Sequence, residues 1–169
     1  MPAVPVIHRL DARRAPVAAG LASALLLAAA LVFQAAGYVP CELCILQRWP
    51  HVAAAAFGLG VLAIGPRRWL LVLGLLSALA AMLIAGYHAG VEWGWWAGPS
   101  ACTGSLGDLT ALSTTDLMTR LNAAPVVRCD QPALVVLGLS MAGWNALASA
   151  GLSVLWAISL SRLAGRDPA

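Results

Sequence analysis

Residues 69–88 read WLLVLGLLSALAAMLIAGYH, twenty positions with no acidic or basic side chain before the closing histidine. A run of that length and polarity matches the ~20 residues a helix needs to cross a bilayer. Three more runs accompany it, at residues 16–36, 44–64 and 140–161. Lipid offers no partner for a backbone N–H or C=O, so a chain that crosses repeatedly must close its hydrogen bonds within each segment. The sequence therefore predicts an all-α fold, an integral membrane four-helix bundle forming one domain over residues 1–169. Composition agrees: only 10% of residues are charged, against about 25% in an average soluble domain. The arginines are scattered singly and in pairs between apolar runs, which excludes a nucleic-acid surface. The run at 16–36 follows Arg9, Arg13 and Arg14, and a cleaved signal is the competing reading. Its apolar stretch exceeds the ~7–15 residues of a signal core and further spans follow, so it reads as a retained first helix.

Charge placement gives the orientation. With four crossings, Arg9, Arg13, Arg14, Arg67, Arg68, Arg162 and Arg166 all fall on one side, and Glu42, Glu92, Asp108, Asp116 and Asp130 on the other. Arginine-rich short segments stay in the cytoplasm, so both termini are expected there. The cysteines then share the opposite, disulfide-permissive compartment. Cys41 and Cys44 open the second helix, and Cys102 and Cys129 lie in the long segment 89–139. Leu109, Leu112, Leu117 and Leu121, set among Thr, Ser and Asp, predict a short amphipathic helix in that loop. Gly86 and Gly90 are a small-xxx-small pair suited to close helix approach. Trp93, Trp95 and Trp96 read as an interfacial belt, with pocket lining the alternative.

The residues PCELCILQRWP at 40–50 carry the chemistry. A CxxC can be a redox dithiol, half of a zinc site or a structural disulfide. Zinc sites show a second close ligand pair, whereas Cys102 and Cys129 are far apart in sequence and neither His51 nor His88 has ligand-like spacing to a cysteine; no metal is expected. Structural disulfides in a non-enzymatic membrane scaffold stay open as the alternative. Against them, Cys44 falls in the first turn of a helix and Arg48 lies one turn further on the same face, both of which favour a thiolate. Glu42, between the cysteines, acts in the opposite sense. Pro50 removes one backbone bond, yet a helix starting there would be too short to span, so the helix is expected to begin near Cys44 and tolerate the proline. A charge this close to hydrocarbon marks Arg48 as a functional residue. His88, at the end of the third span, is a candidate donor to a cofactor carbonyl. His51 reads as core packing, and Asn145 as a bond between helices.

These features together resemble the disulfide bond formation protein B (DsbB) family. The resemblance rests on Cys41-x-x-Cys44 with Arg48, on the second pair Cys102 and Cys129, and on the stretches YHAGVE (87–92), GPSAC (98–102) and GLSMAGWN (138–145). It implies a quinone-coupled thiol oxidase of the bacterial inner membrane, the system that keeps the periplasm oxidising. It further implies that a periplasmic thioredoxin-fold dithiol protein, DsbA-like, attacks Cys102 of a Cys102–Cys129 disulfide. Freed Cys129 then attacks Cys41, and Cys44 leaves as the thiolate that meets ubiquinone or menaquinone. The same resemblance places Arg48 and His88 at the quinone. Vitamin K epoxide reductase-like proteins do similar chemistry, but their CxxC lies late in the chain, whereas here it opens the second helix.

Overall fold

The computed structural model of the chain describes residues 13–99, 113–116, 118 and 127–165. Four long helices make the body: α1 (Arg14–Ala35), α3 (Arg48–Ile64), α4 (Arg68–Glu92) and α5 (Met141–Ala164), with a five-residue helix α2 (Glu42–Leu46) ahead of α3. α1, α4 and α5 are each long and apolar enough to cross a membrane. α3, with 17 residues, sits at the lower limit of a span, about 17, and α2 continues it by a further turn.

The helix expected to start near Cys44 is thus divided. Its first turns are α2, a single residue, Gln47, interrupts it, and α3 resumes at Arg48. Pro50 explains the position of the break. It falls in the first turn of α3, where an N–H has no intrahelical partner in any case, so its missing donor costs little there. α3 stops at Gly65, whose φ of 82° lies in the left-handed region that favours glycine. α4 runs to Glu92, one turn beyond the predicted end at His88, so His88 and Glu92 share one helix and the loop begins after them.

α1 packs on α3, α3 on α4, and α4 on α5. The membrane core gathers Ala19, Val61, Leu70, Leu71, Ala78, Leu152 and Trp156. Three glycines set the spacing. A Cβ on Gly20 would lie 2.7 Å from the Cα of Gly58, so α1 and α3 touch backbone to backbone. A Cβ on Gly74 would lie 2.5 Å from the Trp156 ring, which is fully buried against α4. Close approach therefore uses Gly20, Gly58 and Gly74 rather than the predicted Gly86 and Gly90. Gly86 faces open space, and Gly90 seats the Trp96 ring. Leu25, Leu62, Leu83, Leu147 and Val154 point outward, an apolar exterior suited to lipid.

Neighbouring helices run antiparallel, which sorts charge from sulfur. Arg13 donates from Nη2 to the Leu62 carbonyl at 2.7 Å, joining the start of α1 to the end of α3. Arg67 and Arg68 open α4 at that same end, and Arg162 closes α5 there. Cys41, Cys44, His88 and Ser140 lie at the other. There α5 is preceded by a two-residue antiparallel pairing, β1 (Val135–Val136) with β2 (Leu139–Ser140), the one departure from all-α among the described residues. Leu137 and Gly138 turn the chain at φ of 52° and 81°. Trp144 ties this hairpin to α5 by donating to the Val136 carbonyl at 2.9 Å. Ser140 caps α5, accepting the Gly143 N–H at 3.1 Å. Trp96 stacks on Tyr87 and donates to its carbonyl at 2.8 Å, folding the end of α4 back on itself. Trp93, Trp95 and Trp96 stay on the exterior. In the connecting segment residues 114–116 are helical, opened by Ser113, whose hydroxyl accepts the Asp116 N–H. Leu109, Leu112, Leu117 and Leu121 of the predicted amphipathic helix lie outside the described residues.

Gly74→Val should force the Trp156 ring off α4 and cost about 1–3 kcal/mol. Reversible denaturation in detergent micelles would measure this, with Gly86→Val, at an open position, expected to stay near the parent value.

Candidate functional site

At the sulfur end the local fold aims one thiol at another. Cys41 is the N-cap of α2: its backbone is extended, and its Sγ accepts the Cys44 N–H at 3.2 Å. That cap turns the helix so that the two sulfurs stand 2.8 Å apart, with Cys41 donating to Cys44. Cys129 arrives from the segment before the hairpin and is fully buried. It packs with Cys41, Leu43 and Val91, and with Cys44 and Val127 at the margin. The donor atoms of Cys41, His88 and Cys129 all lie within 4.8 Å of one another. Cys41, Cys44 and Cys129 are free thiols in this arrangement. Cys102 lies outside the described residues.

A row of polar side chains leads away from the sulfurs into the bundle. His88 Nε2 stands 3.6 Å from Cys41 Sγ. Its Nδ1 meets Gln47 Nε2 at 2.7 Å. Gln47 Oε1 accepts from Asn145 Nδ2 at 2.7 Å, and Asn145 Oδ1 accepts from His51 Nε2 at 2.9 Å. A buried amide that lost its partner would cost about 1–3 kcal/mol, so the row fixes the His88 ring as firmly as packing does. On its other side His88 Nε2 faces the Glu92 Oε1 at 3.8 Å, with both side chains almost wholly buried (4% and 5% exposed).

Arg48 does not clasp a thiol. Its Nη1 donates to Gln34 Oε1 of α1 at 2.6 Å, and it lines the same cavity as Cys44. The Cys44 thiol is lowered to about 7. The hydrogen bond from Cys41 is the largest cause, burial opposes it, and Arg48 adds a smaller lowering. The opposing carboxylate is that of Glu92, whereas the sequence pointed to Glu42. Cys41 is raised above the ordinary thiol range, first because its proton is engaged by Cys44 and then by burial. The pair is therefore asymmetric, with Cys44 the better leaving group and Cys41 the sulfur that stays protonated or bonded.

Beside the pair lies a cavity of about 500 Å³. Leu26, Phe33, Val136 and Trp144 give it apolar walls, and Cys44, Gln47, Arg48, His51, His88 and Asn145 present polar atoms to it. Sequence reasoning had singled out Cys41, Cys44, Cys129, Arg48 and His88, and the structure brings these five together. It had not singled out Gln47 and Glu92. Glu92 carried a readable signal, since it lies four residues after His88 and so one helical turn away. Gln47 carried none, because its partners come from α4 and α5.

The sequence profile of the disulfide bond formation protein DsbB family matches residues 12–159. The chain belongs to the DsbB family. Relatives named disulfide bond formation protein B occur in Cupriavidus necator and Cupriavidus pinatubonensis. Each is 31% identical over 130 residues, covering 75% of this chain and 78% of the relative. An uncharacterised protein of Rickettsia prowazekii is 29% identical over 111 residues, 65% of this chain. The match spans just under two thirds of that protein, 64% of its length. No solved structure matches. Membership in the DsbB family gives the chain a role in disulfide bond formation, and the apolar helices fit a membrane protein of that family.

The asymmetry of the pair has a pH signature. Alkylation at Cys44, followed by peptide mass spectrometry on the reduced protein, should reach half its plateau rate near pH 7. Below that the thiolate is lost and the rate should fall about tenfold per pH unit. Cys41→Ala removes the donor, so the half-point should rise toward the ordinary thiol range, about 8.5.

Proposed function

We propose that this chain is a protein-dithiol:quinone oxidoreductase of the bacterial inner membrane. It reoxidises a periplasmic DsbA-like thioredoxin-fold protein and passes the electrons to membrane quinone. The observation that carries the reading is Cys129, drawn from the loop and buried against Cys41, whose other neighbour is Cys44 at 2.8 Å. Thiol–disulfide exchange passes from sulfur to sulfur by direct attack, so a loop sulfur, a middle sulfur and a terminal sulfur in contact form a conduction path. In this reading Cys102 and Cys129 form the disulfide that faces the partner. The partner thiolate attacks Cys102, Cys129 is released and attacks Cys41, and the Cys41–Cys44 bond breaks with the electron pair leaving on Cys44. The low Cys44 and raised Cys41 thiols favour that direction of cleavage.

The cavity beside Cys44 fits a quinone headgroup in size and in its division between apolar walls and one polar rim. Cys44, Arg48 and His88 would hold it, with Gln47 and Asn145 fixing His88. A bound quinone, ubiquinone or menaquinone, supplies a two-electron acceptor. The chain's contribution is to present a thiolate, exclude water and offer polar hydrogens from Arg48 and the histidines. The sorting of arginines to the opposite end supports cytoplasmic termini and periplasmic cysteines.

A second reading has one observation in its favour. The 3.6 Å between Cys41 Sγ and His88 Nε2 equals the edge, about 3.6 Å, of a tetrahedron built with Zn–S and Zn–N bonds. Cys129 would complete three donors. The 2.8 Å between Cys41 and Cys44 argues the other way, since two thiolates on one zinc stand about 3.7 Å apart.

The test is quinone absorbance over time with purified protein, a soluble ubiquinone or menaquinone and a reduced thioredoxin-fold dithiol protein. The parent should reduce the quinone, and Cys44→Ser should not, while Cys102 still traps the partner as a mixed disulfide. Arg48→Gln should weaken quinone use with the bundle intact. Full turnover in Cys44→Ser would remove Cys44 from its role. Inert cysteines with every quinone would favour the static disulfide scaffold, and one equivalent of zinc on the reduced protein would favour the metal reading.

A further inference from the structure

Glu92 has no place in the exchange path described so far, yet it is the buried carboxylate of the sulfur end. Its side chain is 5% exposed, and its Oε2 has no hydrogen-bond partner. Its Oε1 stands 3.8 Å from His88 Nε2, which stands 3.6 Å from Cys41 Sγ. Cys129 Sγ is within 4.8 Å of both of those donor atoms.

The charged and titratable groups around Glu92 are few. From α2 and its cap come Cys44 and Cys41, from its own helix His88, and from the loop Cys129. Arg48 on α3 faces the same cavity but is bonded to Gln34. Arg128 borders it and is paired with Asp130. No guanidinium therefore clasps this carboxylate among the described residues.

Burial sets the problem that Glu92 answers. Cys129 leaves Cys102 as a thiolate, but a thiolate released into water at neutral pH takes up a proton. Once the thiol is buried beside Cys41, at 0% exposed, it must lose that proton to a group within the protein before it attacks. Creating a second anion in a closed, poorly hydrated pocket is unfavourable. Moving the proton from the thiol to a carboxylate already present leaves the net charge of the pocket unchanged.

We propose that Glu92 is the proton acceptor for Cys129, with His88 as the bridge between sulfur and carboxylate. The proposal rests on the exchange path proposed above. In the first step Cys129–SH and ionised Glu92 become Cys129 thiolate and protonated Glu92. In the second, that thiolate attacks Cys41. The Cys129–Cys41 bond forms, the Cys41–Cys44 bond breaks, the electron pair leaves on Cys44, and the proton stays on Glu92. For His88 Nε2 to accept the thiol proton and pass it to Glu92, the ring's own proton must sit on Nδ1. The Gln47 and Asn145 amides can turn over together to accept and pass on that hydrogen bond, with His51 changing from donor to acceptor at the far end.

The step is measurable without quinone. Cys102→Ser protein, prepared with Cys41 and Cys44 oxidised to their disulfide and Cys129 free, should convert internally to Cys129–Cys41. Release of the Cys44 thiol, read with a fluorescent maleimide by rapid quench, gives the rate. Adding Glu92→Gln should slow it about 100-fold at neutral pH, the scale of a general base. The rate should then climb with hydroxide across the range where the parent is flat. Glu92→Asp should restore part of the rate and the flat profile. Superimposable pH profiles for the parent and Glu92→Gln would overturn the inference, as would a Glu92→Asp variant that is folded by circular dichroism yet no better than Glu92→Gln. Quinone reduction by the unmodified parent is followed in parallel. If the parent reduces quinone but the profiles coincide, the role of Glu92 alone is lost; if the parent neither reduces quinone nor releases Cys44, the exchange path itself is lost.

Discussion

The sulfur end of this molecule depends on Gln47. It sits at the single break between α2 and α3 and is buried, so both ends of its amide need partners. It finds them on two other helices, His88 of α4 and Asn145 of α5. That pair of bonds places α2 relative to the bundle and, through α2, sets where Cys41 and Cys44 stand. It also fixes the ring that faces Cys41. A hydrocarbon side chain at this position would leave His88 and Asn145 unsatisfied in the interior, and a row of hydrogen bonds in a poorly hydrated place stands or falls together.

The two ends of the bundle are held by different physics. Lipid gives helices no hydrophobic reason to associate, so close packing and polar bonds must do it. At the arginine end it is close packing, with Gly20 on Gly58 and Trp156 on Gly74. At the sulfur end it is the polar row from His51 to His88. The first gathers no cysteine or histidine among the described residues. The second gathers short elements, a five-residue helix and a two-residue hairpin, onto the ends of long ones. Such elements have few contacts of their own and open at low free energy, which suits the exchange among three sulfurs proposed above.

Much of this was legible in the sequence, for physical reasons that also mark its limits. Spans are long and uniform, and Arg67 and Arg68 fall after a glycine and a proline, so the helices, and the end of the bundle that gathers the arginines, could be read within a turn. The spacing of Cys41, Cys44 and Arg48 is local, and so was visible. Gly86 and Gly90 misled because spacing gives a face but not what the face meets. Trp96 fills the second, and the true contacts at Gly20, Gly58 and Gly74 have no local mark. Gln47 was invisible because its meaning lies in partners 41 and 98 residues away. The low Cys44 thiol was legible in part: Arg48 lowers it as its spacing suggests, but from a guanidinium bonded to Gln34, and the larger lowering comes from the hydrogen bond of the neighbouring sulfur.

That displacement of Arg48 clarifies the charge logic of the site. An arginine clasping Cys44 would hold the thiolate in a tight ion pair and dull it as a nucleophile. Bonded to neutral Gln34, it keeps its full charge at the cavity wall, where it lowers an anion's energy without fixing its position. Across the cluster, Glu92 pushes the same thiol up. The two opposed charges bracket the sulfurs, so the pocket tolerates one mobile negative charge well and a second poorly. In the exchange path proposed above, a negative charge passing from Cys129 to Cys44 stays within that bracket throughout. Under the same proposal a proton that leaves one sulfur stays inside it too, on a carboxylate in the wall of the site.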